Sequence, residues 1–181
     1  SKCVRIITRA WHSAPCPGFC YPQTTVKGDQ MKHRLVVRSV TLPANVNTIW
    51  PKLSMLSTLQ HIARPYATFQ PVDCSADLKW QPGEVYRFRF RLFGVLPLGI
   101  HTIRVMRFDQ AAGIIYTEES NPHVPVWNHK IILKPINHDH TGYTDEVEIH
   151  AGWKTPFVCL WAKLFYAHRQ RKWIRLLHEH K

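Results

Sequence analysis

"WNHKIILKPINHDHTGYTDEVEIHAG", residues 127–152, is the stretch on which the fold turns. Two runs of alternating apolar and polar residues flank a segment rich in Asn, His, Asp and Gly, the pattern of two antiparallel strands joined by a polar turn. Side chains alternate across a strand, so Trp127, His129, Ile131 and Leu133 share one face with Asp145, Val147 and Ile149. A histidine and an acid therefore point where the alternation wants core residues. Counting back from the turn pairs His129 with Ile149 and Leu133 with Asp145. This separates His129 from Asp145 by roughly 13 Å at about 3.3 Å per residue, too far for a His–Asp dyad. The outward Glu146 and Glu148 read as solvated partners for lysines.

The same logic extends upstream. In "WQPGEVYRFRFRLFG", residues 80–94, Tyr86, Phe88, Phe90 and Leu92 alternate with Arg87, Arg89 and Arg91, giving a buried aromatic face and a wet cationic one. "PLGIHTIRVMRFD" (97–109) and "IIYTEE" (114–119) continue as strands around a short AAG turn. That places His101, Ile103 and Val105 on the same face as Ile115, Thr117 and Glu119. A one-residue bulge would reverse any of these faces. Glu119 then lies diagonal to His129, making this pair the candidate couple for proton transfer or ligand orientation. No helix of crossover length separates the strands, so they form an antiparallel meander rather than βαβ units.

Before the meander, "HRLVVRSVTL" (33–42) is a β-branched first strand. "PANVNTIWPKLSMLSTLQHI" (43–62) predicts short helices broken at Pro51, and "RPYATFQPVD" (64–73) a proline-punctuated connection. After Gly152 the period becomes helical through residues 153–180, with Pro156 tolerable only in the first turn. Phe157, Leu160, Trp161, Leu164, Phe165, His168, Lys172 and Trp173 fall at spacings of three and four, a stripe expected to be buried against the sheet. Residues 1–30 carry prolines, basic residues and a single acid without a hydrophobic period. They read as a tail or extension outside the core, with organelle targeting as the alternative, and residues 31–181 as the domain.

Composition bounds the function. At 181 residues with 45% hydrophobic side chains, the chain suffices for one well-filled domain. A net charge of +12 raises anionic membranes and nucleic acid as partners, but the charge is spread thinly and is densest near the C-terminus. Five cysteines, odd in number and irregularly spaced, argue against a secreted disulfide framework and suit a reducing, cytoplasmic setting. His12, Cys16 and Cys20 make an H-x-x-x-C-x-x-x-C run, but structural zinc wants four ligands and no fourth lies nearby. No metal and no cofactor is expected. Serine-nucleophile, phosphate-loop and zinc-protease motifs are missing from the sequence.

The order strand, two short helices, antiparallel meander and long terminal helix is that of the helix-grip fold. The segments "FRLFGVLPLGIHTIRV", "VWNHKIILKP", "GYTDEVEIHAG" and "FYAHRQRKWIRLL" resemble START-like, Bet v 1-like proteins, the group also called polyketide cyclase/dehydrase-like. The resemblance spans residues 33–178 and is strongest in the W-x-H, D-x-V-x-I-x-A-G and F-Y-x-x-R-Q-x-x-W patterns. It implies an α+β fold, with a curved antiparallel sheet of about seven strands around the C-terminal helix and an apolar cavity between them. Members include lipid carriers, hormone receptors and aromatase/cyclases, so the resemblance implies a pocket and leaves its chemistry open.

Three readings follow. The first is binding or transport of a lipid-like or polycyclic molecule in that cavity, by a monomer or homodimer. Tyr86, Phe88, Phe90, Trp127, Trp161, Phe165 and Tyr166 are divided between core and cavity wall. The second is a cyclase/dehydrase-type enzyme, with His129, Glu119 or Asp145 moving protons. The third is peripheral binding of an anionic membrane through the basic face, with nucleic acid ranked last. For Asp145 the leading role is structural, an acid clamped by Arg169 or Arg171 of the terminal helix. For His129 it is burial with a backbone or Glu partner, ahead of ligand contact and acid–base work. His168 is expected to be a satisfied core histidine.

Overall fold

The protein is described by a computed structural model covering residues 33–179 apart from 74, 76 and 77. In chain order it runs β1 (Arg34–Leu42), α1 (Val46–Leu53), α2 (Leu56–Ala63), β2 (Ala67–Pro71), β3 (Val85–Leu92), β4 (Leu96–Asp109), β5 (Ile114–Ser120), β6 (Val126–Pro135), β7 (Thr141–His150) and α3 (Thr155–His178). The strands form one antiparallel sheet of seven in the order β1-β7-β6-β5-β4-β3-β2. This is the helix-grip architecture, α+β, with α3 laid across the inner face of the sheet.

The alternation that predicted β3 holds: Tyr86, Phe88 and Phe90 are buried while Arg87, Arg89 and Arg91 are exposed. Each such aromatic removed from water is worth about 1.5–3 kcal/mol. The faces of β4 to β7 also hold. The one bulge in the β4–β5 pairing lies between Val105 and Arg107, beyond His101, Ile103 and Val105, so those three keep their inward face. Gly113, at φ +64°, turns the chain between β4 and β5 in a conformation that side-chain-bearing residues rarely adopt.

Three expectations for the helices and connections are corrected. Pro51 does not break the first helix but sits inside α1, where buried Ile49, Trp50 and Leu53 offset the one missing amide hydrogen bond. Asn45 caps that helix, its Oδ1 accepting from Thr48 N at 3.0 Å. The segment after Arg64 is not mere connection. Ala67–Pro71 is the edge strand β2, where a terminal proline costs no inner ladder bond.

The third correction concerns α3. Its buried positions include Cys159, Ala162, Phe165, Tyr166, Arg169, Gln170, Trp173 and Leu177. Phe157, Leu160 and Leu164 are instead exposed, at 68%, 60% and 54%. Apolar residues surround this helix, so periodicity alone admits more than one inward face. Ala162 and Cys159 mark the face that is taken, both being buried in one core cluster with Val36, Val147 and Ile149 of the sheet. Cys159 is a free, buried thiol, while the other cysteines, the His12/Cys16/Cys20 run and residues 1–30 lie outside the described residues.

Candidate functional site

Between the concave face of the sheet, α2 and α3 lies a cavity of about 490 Å³. Its walls come from every layer of the fold: Leu59 and Ile62 of α2, Phe69 of β2, Phe90 of β3, and the inward residues of β4, β5 and β6. Of the residues expected at such a site, Phe90, His101, Ile103, Val105, Thr117 and Glu119 line it, as do Trp127, His129, Ile131, Trp161 and Phe165. Tyr166, Arg169 and Trp173 of α3 complete the wall on the helix side.

Five expected residues stand elsewhere. Tyr86 packs its ring against Trp80 and its hydroxyl accepts from Gln81 N at 3.1 Å. Phe88 and Val147 are fully buried core. Asp145 is buried just behind the wall and reaches the cavity through its partners. His168 is only half-buried and not part of the core stripe. Its Nε2 bonds the Arg64 carbonyl at 2.7 Å and its ring packs on Tyr66, tying α3 to the end of α2.

The register of the β6–β7 hairpin overturns the geometry expected for its two polar residues. His129 faces Val147, and Asp145 faces Ile131. His129 Nε2 therefore reaches Asp145 Oδ1 at 2.8 Å, and the two do form a His–Asp pair. A five-residue loop, 136–140, shifts the pairing by two positions from the count made at the turn. Asp145 Oδ1 also accepts from the Tyr143 hydroxyl at 3.1 Å, and Oδ2 from Gln170 Nε2 at 2.9 Å. The clamp between hairpin and helix is thus Gln170, which bonds the Arg38 carbonyl as well. Neither Arg169 nor Arg171 bonds Asp145.

Glu119 lies diagonal to His129 as expected, since Thr117 and His129 are the facing pair. Its oxygen stands 3.9 Å from His129 Nδ1. The closer partner is His101, whose Nε2 lies 2.8 Å from Glu119 Oε2, while the Thr117 hydroxyl donates to Oε1 at 2.7 Å. The result is a row His101–Glu119–His129–Asp145 running across four strands of the inner face.

Burial alone would raise both carboxyls. For Asp145 the hydrogen bond from His129, the charge of Arg169 and the bond from Gln170 outweigh it, leaving its pKa below the ordinary value. For Glu119 the bond and charge of His101, with His129 and Thr117, do the same. Both are ionised at neutral pH. Burial pushes Tyr166 up, so it stays a neutral phenol, accepting from Trp127 Nε1 at 3.2 Å. Among the described residues no group of three His, Cys, Asp or Glu side chains is placed to hold a metal ion.

Alternation and helical spacing do not single out Tyr143 and Gln170, which bond Asp145, or Asn121 of the cavity wall, and Arg169, expected as a clamp, lines the cavity instead. A signal for Arg169 was present: it follows Trp161 and Phe165 at spacings of four, on the same slowly winding stripe.

Fold and cavity together have the helix-grip architecture that START-like and Bet v 1-like proteins share. Among solved structures, a START superfamily protein from Mycobacterium smegmatis matches with a TM-score of 0.64 at 15% identity, covering 83% of this chain and 100% of that one. The aromatase/cyclase ZhuI from Streptomyces sp. R1128 matches with a TM-score of 0.58 at 16% identity, covering 81% and 92%. Norcoclaurine synthase from Thalictrum flavum, in complex with dopamine and hydroxybenzaldehyde, matches with a TM-score of 0.58 at 15% identity, covering 83% and 89%. At these identities the likeness is one of fold. The chain belongs to the family described as Domain of unknown function (DUF8410), which matches residues 40–177. Comparison with curated proteins by sequence gave no match.

Proposed function

We propose that this protein binds a hydrophobic small molecule, lipid-like or polycyclic, in the cavity between the sheet and α3. The observation that carries the reading is the cavity itself. Its volume of about 490 Å³ falls within the roughly 300–1,000 Å³ of small-molecule sites, and its lining is dominated by aliphatic and aromatic side chains. Burial of a ligand's apolar body against Phe69, Phe90, Trp161 and Phe165 supplies affinity, and the few polar groups orient it. The similar solved structures include an aromatase/cyclase and a synthase holding aromatic molecules, which favours flat aromatic ligands among the candidates.

An enzyme of cyclase/dehydrase type is the competing reading, supported by the His101–Glu119–His129–Asp145 row. That row is satisfied internally, however. Both carboxylates have their oxygens occupied, and each histidine gives a ring nitrogen to one of them. Carboxylates so engaged hold the row in place and are poorly disposed to take a substrate proton, which leaves Nδ1 of His101 and of His129 to carry any acid–base step. Binding without turnover is the better account.

Native mass spectrometry of the purified full chain, followed by denaturing extraction, tests the proposal. A small molecule retained at fixed stoichiometry supports it. An empty protein showing no thermal shift with lipids, sterols and aromatic polyketides would overturn it.

A further inference from the structure

Glu119 in the cavity wall and Asp145 behind it have both carboxylate oxygens hydrogen-bonded, while the buried cation beside them has no such partner. Arg169 is only 5% exposed and lines the cavity. Its guanidinium carbon lies 5.0 Å from the Tyr166 ring centre and 5.7 Å from that of Phe165, which offsets part of its lost hydration. Its Nε is buried without an acceptor, and it makes no hydrogen bond to any described residue. On the same helix Trp161 Nε1 and Trp173 Nε1 are also buried without acceptors, and both residues line the cavity. Three donors at multiples of four residues thus follow one another along α3, with Arg169 about 12 Å from Trp161 and about 6 Å from Trp173 along the axis.

Leaving such donors unpaired is costly, and more so for a charged group than for a neutral one. Burial disfavours the charge on Arg169, yet the acidic groups around it, Tyr143 and Asp145 foremost, hold its pKa above the ordinary value. The guanidinium therefore stays charged, with its planar fork of donors unused.

We propose that the molecule bound in this cavity is an amphiphile with a single carboxylate or equivalent monoanionic oxygen group. The headgroup sits on Arg169 and the apolar body runs along α3 towards Trp161. The inference rests on the cavity-binding reading and adds the polarity of the ligand to it. A carboxylate matches the guanidinium fork with two parallel hydrogen bonds and neutralises its charge in a low-dielectric site. A single negative charge is enough to engage the unused donors of the guanidinium. A dianionic phosphate would add a second charge close to ionised Glu119 and Asp145.

The test is titration of the full-length protein with dodecanoate, methyl dodecanoate, dodecanol and dodecyl phosphate, and with naphthoate, its methyl ester and naphthalenemethanol. Tryptophan fluorescence reports affinity and thermal melting reports stabilisation. In at least one series the carboxylate should bind about tenfold or more tightly than its ester and alcohol, as expected for a charge-assisted hydrogen bond. Arg169→Met should abolish that preference while leaving the alcohol within about threefold. Arg169→Lys, which keeps the charge but not the fork, should retain part of it.

Esters or alcohols that match the acids in the wild-type protein, or a tighter-binding phosphate, would overturn the inference and leave the cavity reading standing. So would an acid preference that survives in Arg169→Met. If no compound of either series binds, the cavity reading fails and this one with it. Should Arg169→Met not fold, the wild-type comparison and Arg169→Lys still decide.

Discussion

His129 donates from Nε2 to Asp145 Oδ1 at 2.8 Å although the residue facing it on β7 is Val147, so the bond runs diagonally across the hairpin. Through Gln170, which donates to the other oxygen of Asp145, the same acid joins the sheet to α3. One buried carboxylate thus links the floor and the roof of the cavity.

Replacing Asp145 by Asn should destabilise the fold by about 3 kcal/mol, because removing one partner of a buried pair leaves the others unsatisfied. Urea denaturation followed by circular dichroism reads this directly. A loss below about 0.5 kcal/mol, within the range of an indifferent surface change, would rule out the linking role.

Acid should weaken the fold through the same groups. Asp145 and Glu119 have folded pKa values below their ordinary 3.8 and 4.5, so the unfolded chain binds more protons in acid. Their stabilisation is complete above the ordinary values and disappears as pH falls through the lower folded ones. The urea midpoint should drop progressively below about pH 5, and the slope should be shallower in Asp145→Asn. Parallel curves for the two proteins would contradict this assignment.

Val105 is buried and lines the cavity, so enlarging it fills empty space rather than overpacking the core. Val105→Phe should change stability by less than about 1.5 kcal/mol while abolishing ligand-induced thermal shifts. A variant that binds the wild-type ligand undiminished would place the binding site elsewhere.

Gly113 holds φ +64°, and a Cβ there would press on the Leu133 carbonyl. Gly113→Ala should cost about 1–3 kcal/mol from backbone strain alone, with the steric contact adding to it. Thermal melting of the variant checks the figure, and an unchanged midpoint would show that the turn can relax.

Much of the fold was legible because it rests on local periodicity. The arginine–aromatic alternation of β3 named its buried face, and the inward sets of β4 to β7 followed from their turns. β2 escaped because two prolines within a short run look like a loop until an edge strand is known to be there. At the site, the sequence alone identified the polar residues that face inward, His101, Glu119, His129 and Asp145.

Which of these touch was decided only in three dimensions. Sliding β7 past β6 by two residues leaves every side chain on its original face, so alternation is blind to it, yet it turns a separation of roughly 13 Å into a hydrogen bond. The rotation of α3 is hidden in the same way. With Phe157, Leu160 and Leu164 on one side and Phe165, Tyr166 and Trp173 on another, the spacing fits more than one inward face, and the folded chain buries the second set together with Ala162. That choice turns Arg169 into the cavity. A strand's faces are a property of its own residues, whereas register and helix rotation depend on which partner surfaces fit together.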